Sequence, residues 1–214
     1  MATARKWSNI QIAMQSALGA NLTISAITKA STGVATSTAH GLANGDYVVL
    51  TISGMWQLND RVARVANVAV NTFELEGIDT TAFDTFTSGT ANKITFGTSI
   101  STATSISSSG GGFDFIDTTT IHGNSKSQMP GLPAASTFTF DNIWDVSDAG
   151  LLAMKTASDA QAKRAIKFTF GSGGQIMTFN GYVGANLLPG GQAQGLVTTS
   201  RTITMNGTPS YYAS

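Results

Sequence analysis

The feature that most constrains this chain is a period of two. In Ala165–Phe170 the apolar Ile166, Phe168 and Phe170 alternate with Lys167 and Thr169. Such alternation puts one set of side chains on each face of a strand and leaves no stripe for a helix to bury. The loop Gly171-Ser172-Gly173-Gly174 then permits a tight reversal into Gln175–Val183, where Met177, Phe179 and Val183 share a face, so the pair is predicted to be a hairpin. The pattern recurs in Thr137–Phe140 and in Leu196–Met205, where Val197, Ile203 and Met205 oppose Thr198, Thr202 and Thr204. Thr-rich outer faces suit strands and disfavour helices. One stretch breaks the rule. In Ser147–Ala162, Ser147 or Asp148 can cap, Leu151, Leu152 and Met154 supply an apolar stripe, and Ala dominates the rest, which predicts one amphipathic helix on a sheet. Ile10–Leu18 has a spacing compatible with either a short helix or a strand.

Residues 22–94 are denser in turns. Leu22–Ile27, Val34–Thr38, Asp46–Ile52, Arg61–Val70, Thr72–Leu75 and Ala91–Phe96 each read as a short strand, separated by turn residues such as Asn44-Gly45-Asp46 and Gly77-Ile78-Asp79. Six short strands in so small a span make a compact barrel or sandwich near the lower limit for independent folding. The expected architecture is mainly β: a β-sandwich or half-barrel with one flanking α-helix, formed by residues 1–21 and 95–214, and a small all-β domain inserted as residues 22–94.

Composition narrows the function classes. The 214 residues are 42% hydrophobic, enough for a core, and only 11% charged, with 12 basic and 12 acidic side chains. That is well below the roughly 25% usual for globular domains. So sparsely charged a surface suits a protein packed against copies of itself. No basic cluster exceeds the pairs Arg5-Lys6 and Lys163-Arg164, so the footprint of a nucleic-acid binder is missing and only weak contact with DNA is expected. There are no cysteines, which removes disulfides, thiolate nucleophiles and Cys-ligated zinc together. No apolar run approaches the roughly 20 residues of a membrane span, and the start, Met1 to Lys6, leads into no apolar segment, so a soluble protein made in a cytoplasm is expected.

No residue is assigned a catalytic, cofactor-binding or metal-ligating role. His40 and His122 are the only histidines; one precedes Gly41-Leu42 at a turn, the other lies between Ile121 and Gly123, and a closed zinc site needs four ligands. Glu74 and Glu76 share a strand face, and Asp145 and Asp148 bracket a helix start, where negative charge is favoured by the dipole. Gly110-Gly111-Gly112 follows Ser107-Ser108-Ser109 without the Lys and Ser/Thr of a phosphate loop, and reads as a flexible connector. Trp7, Trp56 and Trp144, with Tyr211 and Tyr212, are read as packing or subunit contacts. A glycan-binding adhesin surface on the small domain is the competing reading.

Two runs of residues resemble known proteins. Ile24 to Ala30, Val34-Ala35-Thr36, His40-Gly41-Leu42 with Gly45-Asp46-Tyr47-Val48, Asn59, Val65 to Val68 and Asn71 to Leu75 are similar to a β-module recurrent in phage structural proteins. Some families describe that module as similar to a first-catalytic-cysteine half-domain of ubiquitin-activating enzymes, a label with no chemistry in a chain that lacks cysteine. Phe113-Asp114-Phe115-Ile116-Asp117-Thr118-Thr119-Thr120, Pro130-Gly131-Leu132, Asp148-Ala149-Gly150, Arg164–Phe170, Phe179 to Val183 and the closing Ile203 to Pro209 resemble the major tail tube proteins of long-tailed, non-contractile phages. That resemblance implies a β-sandwich with a flanking helix, hexameric rings whose inner sheets join around a DNA-conducting channel, and stacking through an extended loop. It further implies assembly around a tape-measure protein, with tail-terminator and distal tail proteins as partners, in the host bacterial cytoplasm and finally in the virion tail. Gly123–Leu132 is the candidate stacking loop. A tail-terminator or distal-tail ring protein, which reuses similar sandwiches, is the nearest alternative. Physically, pairing strand edges between copies removes the exposed edges that an isolated sandwich must otherwise blunt, and heterologous contacts yield rings when the rotation closes and filaments when rings stack.

Overall fold

In a computed structural model that describes residues 8–171 and 174–213, the chain is mainly β with one α-helix. Met1–Lys6, Trp7, Ser172 and Gly173, which the sequence reading invoked, lie outside the described residues. In chain order the strands are β1 (Ile10–Ile24), β2 (Ala26–Ile27), β3 (Val34–Thr36), β4 (Tyr47–Ser53), β5 (Val62–Ala66), β6 (Thr72–Leu75), β7 (Ser88–Ser99) and β8 (Ala103–Ser109). After them come β9 (Phe113–Asp117), β10 (Gln128–Pro133), β11 (Thr137–Ile143), the helix α1 (Ala149–Asp159), β12 (Lys163–Phe170), β13 (Ile176–Ala185) and β14 (Thr198–Tyr212). Twelve strands form one sheet in the order β2-β3-β6-β5-β4-β7-β1-β12-β13-β14-β11-β8, and β9 and β10 make a separate pair. The large sheet curls into a half-barrel. Its curl is visible in the packing, since Ile10 and Ile12 of β1 share a core with Ala103 and Ile106 of β8, at the far edge.

The undecided stretch Ile10–Leu18 is strand, the first part of a β1 that runs on to Ile24. It pairs with β12 through Ile10↔Phe170 to Met14↔Ile166 and with β7 through Ala13↔Ser99 to Ile24↔Gly89. Its buried residues fall at both ends, while its middle, Ser16–Asn21, is exposed although it includes Ala17, Leu18 and Ala20, which is why neither period dominates the sequence there. Bulges interrupt the β1–β7 register at Met14/Gln15, Gln15/Ala17 and Leu18/Asn21. Side chains staple them: Gln15 Oε1 accepts from Ala165 N at 3.1 Å, and Asn92 Nδ2 donates to Gly19 O at 3.0 Å. Bulges bend and twist a ribbon, and here they carry it from one core to another.

Three apolar clusters result. The first lies within residues 24–91 and centres on Leu50, Met55, Phe73 and Leu75. The second holds Ile12, Met14, Phe140, Met154, Ile166, Phe168, Phe179 and Ile203 under α1. The third is small: Val62, Ile94 and Ala165, flanked by Tyr47, Val49 and Phe96, where the two halves of the sheet meet. In the second cluster Phe138 stacks on Phe179 with centroids 5.1 Å apart, and Phe140 and Phe179 each lie 6.0 Å from Phe168.

The hairpin expected around residues 165–183 is β12–β13, in register from Lys163↔Tyr182 to Thr169↔Ile176. The expected last strand begins two residues late, because Leu196 and Val197 lie in the preceding loop with side chains in solvent. In α1 the cap is Asp148, whose carboxylate accepts from Leu151 N at 2.8 Å, and Gly150, Leu151, Met154 and Ala157 form the buried face. Leu152, placed on the stripe by sequence, points outward and is 43% exposed.

Phe168 is the hub of the second core, touching Phe138, Phe140, Phe170 and Phe179. Phe168→Ala is expected to destabilise the protein by about 3–5 kcal/mol, the usual cost of emptying such a site, read as a lowered midpoint in chemical denaturation.

Candidate assembly surfaces

The most exposed structure is the hairpin β9–β10. Strands β8 and β11 pair as Ser109↔Thr137, and the chain leaves their end through Gly110-Gly111-Gly112. Those glycines are a hydrogen-bonded base: Gly111 N donates to Ala134 O at 3.1 Å and Ala134 N to Gly112 O at 2.8 Å. Gly110 holds a positive φ of 90° with its α-carbon against Ala135 O, a place with no room for a side chain. From there β9 and β10 run as an arm, in register at Asp117↔Gln128, Ile116↔Met129 and Phe115↔Pro130. Every residue from Ser107 to Pro130 is exposed. The arm shows apolar groups on both faces, with Phe115 62%, Ile121 96% and Leu132 85% exposed. A two-stranded ribbon has no core of its own, and so large an unpacked apolar surface marks a contact site. The stacking loop expected at Gly123–Leu132 is thus half of a longer element; three of its six large exposed apolar groups, Phe113, Phe115 and Ile116, lie on the opposite strand, across the turn.

Because β11 pairs with β14 as Thr137↔Thr204 at one end and Ile143↔Thr198 at the other, the arm defines one pole of the half-barrel and leaves an opposite pole. The opposite pole is also apolar. Ile143, Val146, Leu188, Leu196 and Val197 are all at least 40% exposed there. Trp144 braces it, its Nε1 donating to Leu187 O at 2.8 Å. Just inside this pole lies Arg201, only 1% exposed, whose Nε, Nη1 and Nη2 have no hydrogen-bond partner; Asn142 Oδ1 on the same sheet face has none either. Desolvation pushes the Arg201 pKa below its ordinary value, against the pull of the Asp148 carboxylate. The sheet itself ends in two edge strands, β8 and β2. Beta-8 alternates Ala, Thr, Ser and Ile over seven residues and offers an open row of backbone groups.

A polar joint ties the two halves of the chain. Asp60 accepts from Lys163 Nζ at 2.9 Å on both oxygens and from Asn206 Nδ2 at 2.7 Å. Tyr212 Oη accepts from Arg64 N at 2.7 Å, and the Arg64 guanidinium lies 4.6 Å from the Tyr212 ring centroid. Arg61 Nε donates to Ser210 Oγ at 2.9 Å. Gly207, at a φ of 73°, lets β14 pass so close that a Cβ would lie 2.9 Å from Asn59 O. Burial pushes the Tyr212 phenol above its ordinary pKa, so it stays a neutral donor and acceptor.

The residues with catalytic potential are scattered and committed to structure. His40 is buried, with Nδ1 accepting from Leu42 N at 3.1 Å and Nε2 3.0 Å from Ala69 O, so it braces a turn as the Nε2–H tautomer. His122 lies at the exposed arm tip. Glu76 pairs with Arg64 on both its oxygens, and Glu74 accepts from Asn67 Nδ2 at 2.7 Å. Asp145 holds Ser147, whose O–H and N–H keep its carboxyl below the ordinary range. Among the described residues no cluster of three or more His, Asp or Glu could hold a metal ion, and no helix is long and apolar enough to cross a membrane. Of the aromatics, Trp144 and Tyr212 are held by the bonds above, while Trp56 and Tyr211 are 62% and 68% exposed.

An exposed apolar arm at one pole, an apolar rim at the other and no gathered chemistry describe a part made to be assembled. The phage tail tube protein (TTP) family matches residues 53–214. The chain belongs to that family. It is a structural, non-enzymatic protein of the phage tail that builds the tail tube with copies of itself and other tail proteins, and its place is the virion tail. The matched span of this tail tube protein opens at Ser53, the last residue of β4, and so takes in the second half of the small β-region as well as all of β7 to β14. No curated protein matches the chain.

The joint gives a direct test of how the tail tube protein holds its two halves. Asp60→Ala strips the partner from Lys163 and Asn206 together and is expected to cost about 2 kcal/mol, in the range for hydrogen bonds to charged groups, measured as a shift in the denaturation midpoint.

Proposed function

We propose that this tail tube protein forms hexameric rings that stack into the tube of a long-tailed, non-contractile phage and conduct DNA during ejection. The arm β9–β10 carries the reading. It leaves one pole with Phe113, Phe115, Ile116, Ile121, Met129 and Leu132 all more than half exposed, an arrangement with no purpose in a lone subunit. Within a ring, β8 of one copy is the edge that adds to a neighbour's sheet, closing the edges as a barrel does. Assembly proceeds in the host bacterial cytoplasm around a tape-measure protein, with terminator and distal tail proteins at the ends. The 12 basic and 12 acidic residues balance, so the wall has no net charge to bind the passing DNA beyond weak, non-specific contact.

Purified protein held at high concentration is expected to show rings and tubes in negative-stain micrographs. Closing Gly112 to Ala134 with an Asn-Gly turn in place of residues 113–133 should leave rings and abolish tubes, since Gly112 and Ala134 are already hydrogen-bonded at the arm base. Tubes from the armless chain would remove the arm as the stacking element. Wild-type chains that stop at single rings would favour a terminator or distal-tail ring protein.

We further propose that residues 22–94 are an inserted domain carried on the β1–β7 ribbon, as the separate cluster within residues 24–91 supports. Asn21 and Asn92 are cross-strand partners, so an Asn-Gly turn replacing residues 22–91 keeps the ladder below it. The shortened chain is expected to unfold cooperatively on heating, at a lower midpoint because Ala165, Thr178 and Tyr212 lose their cover. A molten product without near-ultraviolet circular dichroism would show that the region is integral to the fold.

A further inference from the structure

We infer that the outer face of β8, β11 and β14 is the wall of the channel, a hydroxyl track past which duplex DNA slides without being held; the inference rests on the tube role proposed above. The registers of the three strands lay their outward side chains in rows: Ser109, Thr137 and Thr204, then Ser107, Thr139 and Thr202, then Ser105, Asp141 and Ser200. Eight of these nine carry hydroxyls, and seven of the nine are exposed. The remaining one, Asp141, accepts from Ser105 Oγ at 2.7 Å. No Lys or Arg stands in the rows. The one cation of the three strands, Arg201, is turned into the core and is 1% exposed. A solvated surface is ordinarily studded with charges of both signs, and this face has a single carboxylate.

Position selects the partner. Ile12 of β1 and Ile106 of β8 meet in the second core from opposite sides of the curled sheet, so the outer faces of those two strands point in opposite directions. On the β1 side stands the small β-region, with Val62 and Ile94 packed on Ala165 of β12. It carries the cations Lys29, Arg61, Arg64 and Lys93. On the β8 side lie the hydroxyl rows. When subunits join edge to edge around an axis that runs from pole to pole, one of these two sides faces the channel and the other faces out. Each phosphate met by a Lys or Arg adds affinity and would hold the DNA. Hydroxyls exchange hydrogen bonds with water at little net gain, so a flat face of them lets a hydrated duplex pass. The rows meet that requirement, and a bulky region with four cations does not.

The chain has no cysteine, so a single placed thiol reports its own surroundings. In tubes of the full chain carrying Thr202→Cys, a small maleimide is expected to label the thiol and a maleimide on a long polyethylene glycol chain to be excluded. Tubes carrying Val70→Cys, on the small β-region and 80% exposed, are expected to take both. Labelling of Thr202→Cys tubes by both reagents puts the rows on the outside, and labelling by neither puts them in a subunit contact; either result overturns the inference while the tube role stands. Ser200→Cys, in the next row, repeats the test. If neither thiol variant forms tubes where wild type does, the rows are a contact between copies and the inference falls. For the DNA itself, tubes carrying Thr139→Lys with Thr202→Lys are expected to retain about tenfold more of a short fluorescent duplex on pelleting at low salt than Val70→Lys tubes, and to release it as salt rises. Equal retention by the two overturns the wall; should the paired lysines prevent tubes, the thiol labelling decides. If wild type makes no tubes, the tube role fails first and this wall falls with it.

Discussion

The ladder between β1 and β7 is the contact on which the rest depends. It starts in the second core, where Ile12 and Met14 pack under the helix, and ends in the first, at Ile24 and Ala91. In between it is bare to solvent on β1 and bent by three bulges. Because β1 also pairs with β12, and β7 with β4, this one ribbon carries hydrogen bonding from one half of the chain to the other without a break. The fifteen residues of β1 would otherwise present a long edge open to any strand nearby.

From that ribbon the two poles follow. Once β12, β13, β14, β11 and β8 are laid down in turn, the ends of β8 and β11 lie together at one pole, and the glycine base between them sends the arm outward. The loop from β13 to β14 is forced to the other pole, where Leu188, Leu196 and Val197 stay exposed. A subunit with apolar surface at both ends and a sheet edge at its side suits a family whose members assemble into a tube. The polar joint at Asp60, Arg61, Arg64 and Tyr212 serves a different end, setting the small β-region rigidly against β12–β14 through charge-assisted bonds.

Much of this was legible from local pattern. The hairpin at 165–183, the capped helix after Ser147 and the short strands of residues 22–94 were legible from alternation, capping residues and turn pairs, which act over a few residues. The structure departs from that reading where contacts over long distances decide. Leu152 sits next to Leu151 but faces away, because a helix buries an arc and not a composition. Gln15 and Asn92 look like ordinary polar strand residues until the bulges they staple are seen. Gly123–Leu132 is one side of the arm, and half of the arm's large exposed apolar groups, Phe113, Phe115 and Ile116, stand on the other side, brought alongside only by the reversal between them. Asp60 gave no signal at all, its partners Lys163 and Asn206 being more than a hundred residues away.

Residue order alone therefore decided the class: a β-rich chain with one helix, no thiol and few charges. Periodicity, capping and composition are properties of neighbours, and neighbours are what a sequence lists. Which edges stay open and which arginine is buried without a hydrogen-bond partner among the described residues are properties of residues that meet only after β1 has joined both cores. Those were settled by tertiary structure, because burial and pairing depend on what the rest of the sheet brings to the same place.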